Sequence, residues 1–504
     1  MDIIFSLEVL WWLFVGVFVG VTVGALPGLA ISTGMALMLP LTYYMNTGPA
    51  LALLIGVYKG ATFGGSISAI TFSTPGIPAA AATVYDGYKM MKQGKGRKAL
   101  QMALYASITG DTLSDIVTIV LSTTLAIIAL QFGPTERFLI MFMAFILIGT
   151  LSGKNIFKGL ISGSMGVLLA LVGSDPVSLV PRLTFNIWWL RDGIPIIPMI
   201  IGLFAVSKMV EELYKIIMRK RDDIVRNKED ESIIKTLFSK TSEKLTFQEY
   251  LSCWREMLMG TVVGSIAGML PGVGSSGGAF LSYGVAKQFS KNKENIGEGA
   301  LEGIAAAESG NNATMGPTLI PLLVFGIPGS IGAALIGSAL TFQGATPSPR
   351  MFELHPTIIY ALFVLLIVAN LVNLLVGNVM IRFYSRMGQL PKYILAPFII
   401  MLAIIGTYVV SNNRYDVIIM LVIALLGFLL NLAKFPTAPL VIAFILTPLI
   451  ERTFRIALQT SYFDYRIMFE STLSKALVVI TILLLIGVVK LKNQRRKLSG
   501  DFDD

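Results

Sequence analysis

A Leu-Pro-Gly step inside an apolar run with glycine at every fourth residue occurs twice in this chain, and it constrains the fold more than any other feature. Residues 16–34 read GVFVGVTVGALPGLAISTG and residues 260–278 read GTVVGSIAGMLPGVGSSGG, so Gly16, Gly20, Gly24, Leu26, Pro27, Gly28, Ser32 and Gly34 recur 244 residues later. A second pair keeps the order: STPGIPAAAA at 73–82 answers VFGIPGSIGA at 324–333, matching Gly76, Ile77 and Pro78 to Gly326, Ile327 and Pro328. One unit is duplicated. Proline removes an amide donor and glycine admits left-handed dihedrals, so helices should break at Pro27-Gly28, Pro271-Gly272, Pro75-Gly76 and Pro328. Glycines four apart also let helices pack closely, which is an alternative role for Gly16, Gly20, Gly260 and Gly264.

The apolar runs exceed the length that spans a bilayer, in a chain 54% hydrophobic and only 14% charged. The expected fold is an all-α polytopic membrane protein: two inverted-topology repeats with broken helices and re-entrant or hairpin segments, plus an extra C-terminal helix. In such a setting, broken helices point to a substrate site, because freed backbone groups at bilayer depth survive only where protein or a water-filled cavity satisfies them. The net charge of +10 lies mostly in loops and at the C-terminus, where lipid and orientation explain it without nucleic acid. One cysteine, Cys253, excludes an internal disulfide framework, and one histidine, His355, leaves no His-based metal cluster. The N-terminus lacks the basic region of a signal peptide, so its first apolar run is expected to be retained.

Basic residues set the expected topology. A hairpin at 9–45 starts outside, 51–72 crosses inward, and Lys89, Lys92, Lys95, Arg97 and Lys98 mark the cytoplasm. Crossings near 99–131, 138–151, 156–173 and 194–217 lead to a mixed-charge linker. The second hairpin at 254–286 and the span 298–325 then begin from the opposite side. Spans near 358–381, 394–410, 417–432 and 437–449 follow, with a last helix at 476–489. Arg452, Arg455 and Arg466 fall outside and count against this scheme. The division is 1–218 first transmembrane repeat, 219–250 cytoplasmic linker, 251–473 second repeat, and 474–504 C-terminal helix and basic tail. The N-terminus is outside and the C-terminus inside, in the cytoplasmic membrane of a prokaryote.

The chemistry-bearing residues do not assemble an enzyme. GVGSSG at 272–277 follows an apolar helix and a proline rather than a strand, so it is no dinucleotide site, and GTLSGKN at 149–155 is one residue short of a phosphate loop. No cofactor is expected. Ser275, Ser276 and Gly277 follow one break and Ser32 and Thr33 the other, with Ser73 and Thr74 at the third. Amides at a helix start together with hydroxyls suit a carboxylate, although such hydroxyls also serve as caps. Asn311, Asn312 and Thr314 offer oxygens for Na⁺, with a metal site for Na⁺ at Asn311 and Asn312, or hydrogen bonds for a substrate. Glu308 is ionisable at membrane depth and is a functional candidate, with an interfacial turn as the alternative. Lys59 could pair with a substrate carboxylate or with Glu308, or could snorkel to the interface. Asp111 and Asp115 share a helix face, as an ion-coupling or proton site or an interior pair.

At these residues the chain resembles the large membrane subunit of the tripartite tricarboxylate transporters over nearly its full length. The carrying motifs are ALPGLAISTGMALMLPLTYYM, YKGATFGGSISAITFSTPGIPAAAATVYDGYKM, GMLPGVGSSGGAF and GIAAAESGNNATMGPTLIPLLVFGIPGS. The resemblance implies secondary transport driven by an ion gradient, Na⁺ or alternatively H⁺. It also implies a small membrane subunit and an extracytoplasmic solute-binding protein that hands over carboxylates such as citrate. Two departures are Lys59, where a small or neutral residue is expected, and Ser73, where the family tends to have Asn. A membrane scaffold or assembly subunit, and a channel, are the alternatives from other classes; a homo-oligomer is open.

Overall fold

A computed structural model describes residues 6–26, 29–151, 156–175, 180–218, 243–387 and 392–483. The architecture is helical. In order come α1 (Leu7–Ala25), α2 (Ile31–Thr42), α3 (Thr47–Phe72), α4 (Ala81–Lys92), α5 (Gly96–Leu130), α6 (Pro134–Leu151) and α7 (Ile156–Ala170). Strands β1 (Gly173–Ser174) and β2 (Pro181–Arg182) pair antiparallel. Helix α8 (Ile196–Ile200) runs through a π-helical turn, Ile201–Val206, into α9 (Ser207–Met218). Then follow α10 (Phe247–Ser252), α11 (Trp254–Met269), α12 (Gly274–Phe289), α13 (Leu301–Asn312), α14 (Leu319–Phe325), α15 (Ile331–Phe342) and α16 (Met351–Leu354). Helices α17 (Pro356–Met387), α18 (Lys392–Ser411), α19 (Arg414–Leu432), α20 (Thr437–Thr460) and α21 (Thr472–Leu483) complete the chain. Five described helices are long and apolar enough to cross a membrane: Leu7–Ala25, Thr47–Phe72, Gly96–Leu130, Pro356–Arg382 and Arg414–Leu432.

The contacts form two compact units, residues 1–126 with 195–434, and residues 127–194 with 435–504. This grouping follows different lines from the sequence halves drawn at 218 and 251. In the smaller unit, Gly166 of α7 lies against the backbone of Leu440 in α20. There α20 runs past the expected end at 449. Arg455 bonds Asp175 at 2.6 Å and Glu451 at 2.5 Å, and Arg182 bonds Glu451 at 2.8 Å. Arg455 thus has acid partners.

The larger unit holds both copies of the repeat. In α1, the carbonyl of Leu53 stands where a Cβ on Gly16 would go, that of Val57 would lie 2.5 Å from a Cβ on Gly20, and that of Ala61 crowds Gly24. Helix α3 answers with Gly56, Gly60 and Gly64 against the backbone of α1. Removing side chains on both sides lets the two backbones touch, which is how helices gain contact where lipid supplies no hydrophobic drive. In the second copy, Gly260, Gly264 and Gly268 of α11 meet the carbonyls of Ala306, Gly310 and Thr314. Those partners lie 253 residues beyond Leu53, Val57 and Ala61. The caps agree: Leu26 and Leu270 close their helices with φ −86°, ψ 112° and φ −89°, ψ 109°.

The 253-residue shift continues through the second break, and it corrects the sequence alignment there. Gly76 N donates to Gly65 O at 3.2 Å and Gly329 N to Thr318 O at 3.3 Å. The left-handed caps are Ser73 (φ 54°) and Gly326 (φ 72°). Pro75-Gly76 therefore corresponds to Pro328-Gly329, three residues away from the match of the two Gly-Ile-Pro strings. After each break the chain returns as a helix, α4 or α15, where the sequence reading assigns no helix. The copies also differ. Helix α3 is continuous over 26 residues, whereas its counterpart is split into α13 and α14 by a turn at 313–318.

Of the linker, 219–242 lie outside the described residues, as do Pro27, Gly28 and the basic tail beyond 483. Thr246 and Glu249 form a reciprocal cap on α10. Lys98, which bonds Glu249 Oε1 at 2.7 Å, and the Thr246 amide hold the Glu249 carboxyl down at about 2, below its ordinary 4.5. A depressed carboxylate stabilises above its unfolded value and ceases to do so as pH falls through the folded one. Glu249→Gln is therefore expected to lower the unfolding midpoint at pH 7 and to lose its effect between about pH 4.5 and 2, read in a thermal melt series.

Candidate functional site

Helix α5 brings the candidate residues together. Ser107, Asp111 and Asp115 recur every four residues on one face, so each is about 6 Å further along the axis. With Ser114, Thr118 and Ser122 they form a polar stripe with no solvent exposure inside a membrane-length helix. The stripe serves two centres.

The first centre is a buried charge cluster. Lys59 Nζ of α3 donates to Asp115 Oδ2 at 2.6 Å and to Asn370 Oδ1 of α17 at 2.8 Å, and lies 3.2 Å from Asp111 Oδ1. Asn370 Nδ2 donates to Asp115 Oδ2 at 2.8 Å and to Thr112 Oγ1 at 3.2 Å. Lys59 is fully buried, so it does not snorkel, and its partners are the aspartates rather than Glu308. Asp111 and Asp115 are both paired with Lys59 in the interior. Asp115 Oδ1 has no hydrogen-bond partner and faces Gly316, in the turn between α13 and α14.

The second centre is an oxygen cluster around Glu308 of α13. Its Oε1 accepts from Ser66 at 2.6 Å and from Thr83, and its Oε2 from Ser107 at 3.1 Å. Glu308 is fully buried, which excludes the interfacial turn. Among the described residues no basic side chain pairs with it. One turn on, Asn312 Nδ2 donates to Ser107 Oγ at 2.8 Å and to Glu308 O at 3.0 Å, while its Oδ1 has no partner. Both amide atoms of Asn311 are buried without a partner. Thr314 Oγ1 bonds back to Asn311 O at 2.8 Å.

The tips of the broken hairpins are open in a specific way. Helix α2 starts after Ala30 and α12 after Val273, each without a side-chain cap. The capping role considered for Ser32, Thr33, Ser275 and Ser276 is therefore not taken up. Thr33 is buried and its Oγ1 donates instead to Phe204 O, in the π-helical turn, at 2.9 Å. Ser275, Ser276 and Gly277 are half-buried in the first turn of α12. Gly278 lies beside Thr314, where a Cβ would come within 2.7 Å of Gly310 O, so this tip adjoins the second centre. Pro271 is buried, and Gly272 and Gly274 carry φ 93° and 60°. Ser73 and Thr74 are exposed, and Gly76 and Pro328 buried.

Sequence reasoning missed three contributors. Asn370 and Ser107 are each hundreds of residues from the groups they bond. Asp86 of α4 is the third: its Oδ1 accepts from the amides of Gly297, Gly299 and Ala300 at 2.8–2.9 Å and its Oδ2 from Tyr283 Oη at 2.9 Å. A lone acid inside an apolar alanine-rich stretch was the available signal.

A family model described as the tripartite tricarboxylate transporter TctA family matches residues 10–442. Two similar proteins come from Agrobacterium vitis. One, described as an uncharacterised 52.8 kDa protein in the TAR-I ttuC' 3' region, is 32% identical over 470 residues, covering 93% of this chain and 91% of its own. The other, an uncharacterised protein in the TAR-II ttuC' 3' region, is 34% identical over 242 residues, 47% of this chain and 100% of its own. No solved structure matches.

Proposed function

Because this chain belongs to the tripartite tricarboxylate transporter TctA family, we propose that it is the large permease subunit of a secondary active carboxylate uptake system. An inward Na⁺ gradient drives it, with H⁺ as the alternative. An extracytoplasmic binding protein delivers a di- or tricarboxylate, and a small membrane subunit completes the complex in the cytoplasmic membrane. The N-terminus faces outward and the C-terminus inward, which makes the repeats inverted.

The observation that carries this reading is the adjacency of the uncapped start of α12 to the oxygen cluster of α13. Free amides at a helix start favour a carboxylate. Buried oxygens without donors, at Asn311 and Asn312, favour a cation. Placing both at one turn couples the two ligands through their mutual attraction. Ser32, Thr33, Ser73 and Thr74 belong to the related tip and break, and complete the substrate path in this reading. Lys59 acts indirectly, since its ammonium is engaged by Asp111 and Asp115.

The test is uptake of labelled citrate and other carboxylates by cells expressing the chain with its partners, with and without a Na⁺ gradient. Ser276→Ala and Asn311→Ala are each expected to cut Na⁺-dependent uptake about tenfold or more, from the ~1.5–3 kcal/mol of a hydrogen bond to a charged group. Uptake driven by pH alone moves the coupling to H⁺ at Glu308. No uptake of any carboxylate, with the partners verified in the membrane, overturns the substrate assignment.

A further inference from the structure

The two buried centres stand at related positions of the duplicated unit. The 253-residue shift, which holds for three glycine contacts, the left-handed caps and the Gly76 and Gly329 hydrogen bonds, pairs Lys59 with Asn312. Both residues reach the same stripe of α5, Lys59 at Asp111 and Asp115 and Asn312 at Ser107. In the first copy, three oxygens from two helices surround the Lys59 nitrogen at 2.6, 2.8 and 3.2 Å. That is the shape of a small monovalent-cation site, with the cation supplied by a side chain. In the second copy the side chain is too short and carries no charge. Its Nδ2 bonds Ser107 Oγ, which itself donates to Glu308, so a carboxylate that accepts from three hydroxyls lies one hydroxyl away, and its own Oδ1 has no partner.

We propose that Lys59 is a tethered cation. Its ammonium fills, in the first copy, the position that the second copy presents to a mobile monovalent cation between Glu308 and Asn312. The duplicated plan has two cation positions and the chain uses one for coupling. Three facts favour an alkali cation at the second. Hydroxyls that donate to Glu308 can rotate and offer lone pairs. The Asn312 Oδ1 is a buried acceptor without a donor, a costly condition that a cation relieves. The carbonyl end of α13 adds partial negative charge at the same place. At the first position a mobile ion is excluded by a group held through the covalent chain.

This inference rests on the ion-coupled reading above, yet its test needs neither substrate nor partner subunits. The full chain, purified in lipid nanodiscs, is equilibrated with labelled Na⁺ at constant ionic strength set by choline. The wild type is expected to bind one Na⁺ and Glu308→Gln none. Lys59→Ala opens the first position and is expected to bind two, and methylammonium should raise its unfolding midpoint but not that of the wild type. If Lys59→Ala does not fold, Lys59→Ala combined with Asp111→Asn keeps the wild-type net charge and should also bind two. One Na⁺ or fewer in the lysine variants, without methylammonium rescue, overturns the tethered-cation role. Na⁺ binding that survives Glu308→Gln overturns the mobile site. Either result is separate from failed carboxylate uptake, which would bear on the substrate alone.

Discussion

Asp86→Ala is expected to destabilise the chain by roughly 2–4 kcal/mol, because the buried amide of Ala300 and the part-buried amides of Gly297 and Gly299 lose their acceptor, at ~1–3 kcal/mol for a buried group and less for a part-exposed one. The carboxylate ties α4 of the first copy to the segment leading into α13 of the second, through Gly297, Gly299 and Ala300. Alanine leaves those amides, and the Tyr283 hydroxyl, without a partner. Asp86→Asn retains Oδ1 as an acceptor and forfeits charge, so it should recover more than half of the loss. The check is the unfolding midpoint of the purified variants. Equal midpoints for Ala and Asn would show that the amides find other acceptors.

Gly76→Ala is expected to leave almost no folded protein. A Cβ there would overlap the carbonyl of Gly24 and sit 2.8 Å from Ser68 Oγ and 3.0 Å from Gly65 Cα. Side-chain crowding in a core typically costs ~1–3 kcal/mol. Here the obstacle is backbone on two helices, which cannot swing away, so the cost exceeds that range. Gly94→Ala is the informative comparison: φ is 78° but no atom lies within 4 Å of its Cβ, leaving only a left-handed strain of about 1–2 kcal/mol. Fluorescence-detected size exclusion should return a normal peak for Gly94→Ala and aggregate or nothing for Gly76→Ala. A normal peak for both would mean that the α1, α3 and break contacts can relax.

The sequence was most legible where backbone chemistry decides the outcome. Proline and glycine act locally, so the hairpin α11–α12 and the break after α3 could be read from Pro271-Gly272 and Pro75-Gly76 alone. The glycine spacing announced close helix contact, and that is where Gly16, Gly20 and Gly24 sit. The register of the second break was misread because Gly-Ile-Pro matches as letters, while the structure is set by the amide of Gly76 reaching Gly65 O. Helices α4 and α15 escaped notice because they are short and follow turn residues. The buried clusters were half legible. Lys59, Glu308, Asp111 and Asn312 stand out as polar residues in apolar runs, but which acid meets which base depends on helix rotation and on partners such as Asn370. Hence the sequence admits a substrate carboxylate, Glu308 or the interface for Lys59, and the structure pairs it with the aspartates.

The buried ammonium of Lys59 never leaves the chain, and on the ion-coupled reading proposed above this limits what the protein can accumulate. A mobile ion carried inward does electrical work of about 2.3 kcal/mol per elementary charge per 100 mV, and that work is available to concentrate a substrate. A tethered charge returns with the protein at the end of every cycle and contributes none. A carrier of this build trades concentrating power for a lower charge per turnover, so its uptake depends less on the membrane voltage. Reversal potentials, which report net charge per substrate, would reveal the exchange as one positive charge fewer than in Lys59→Ala.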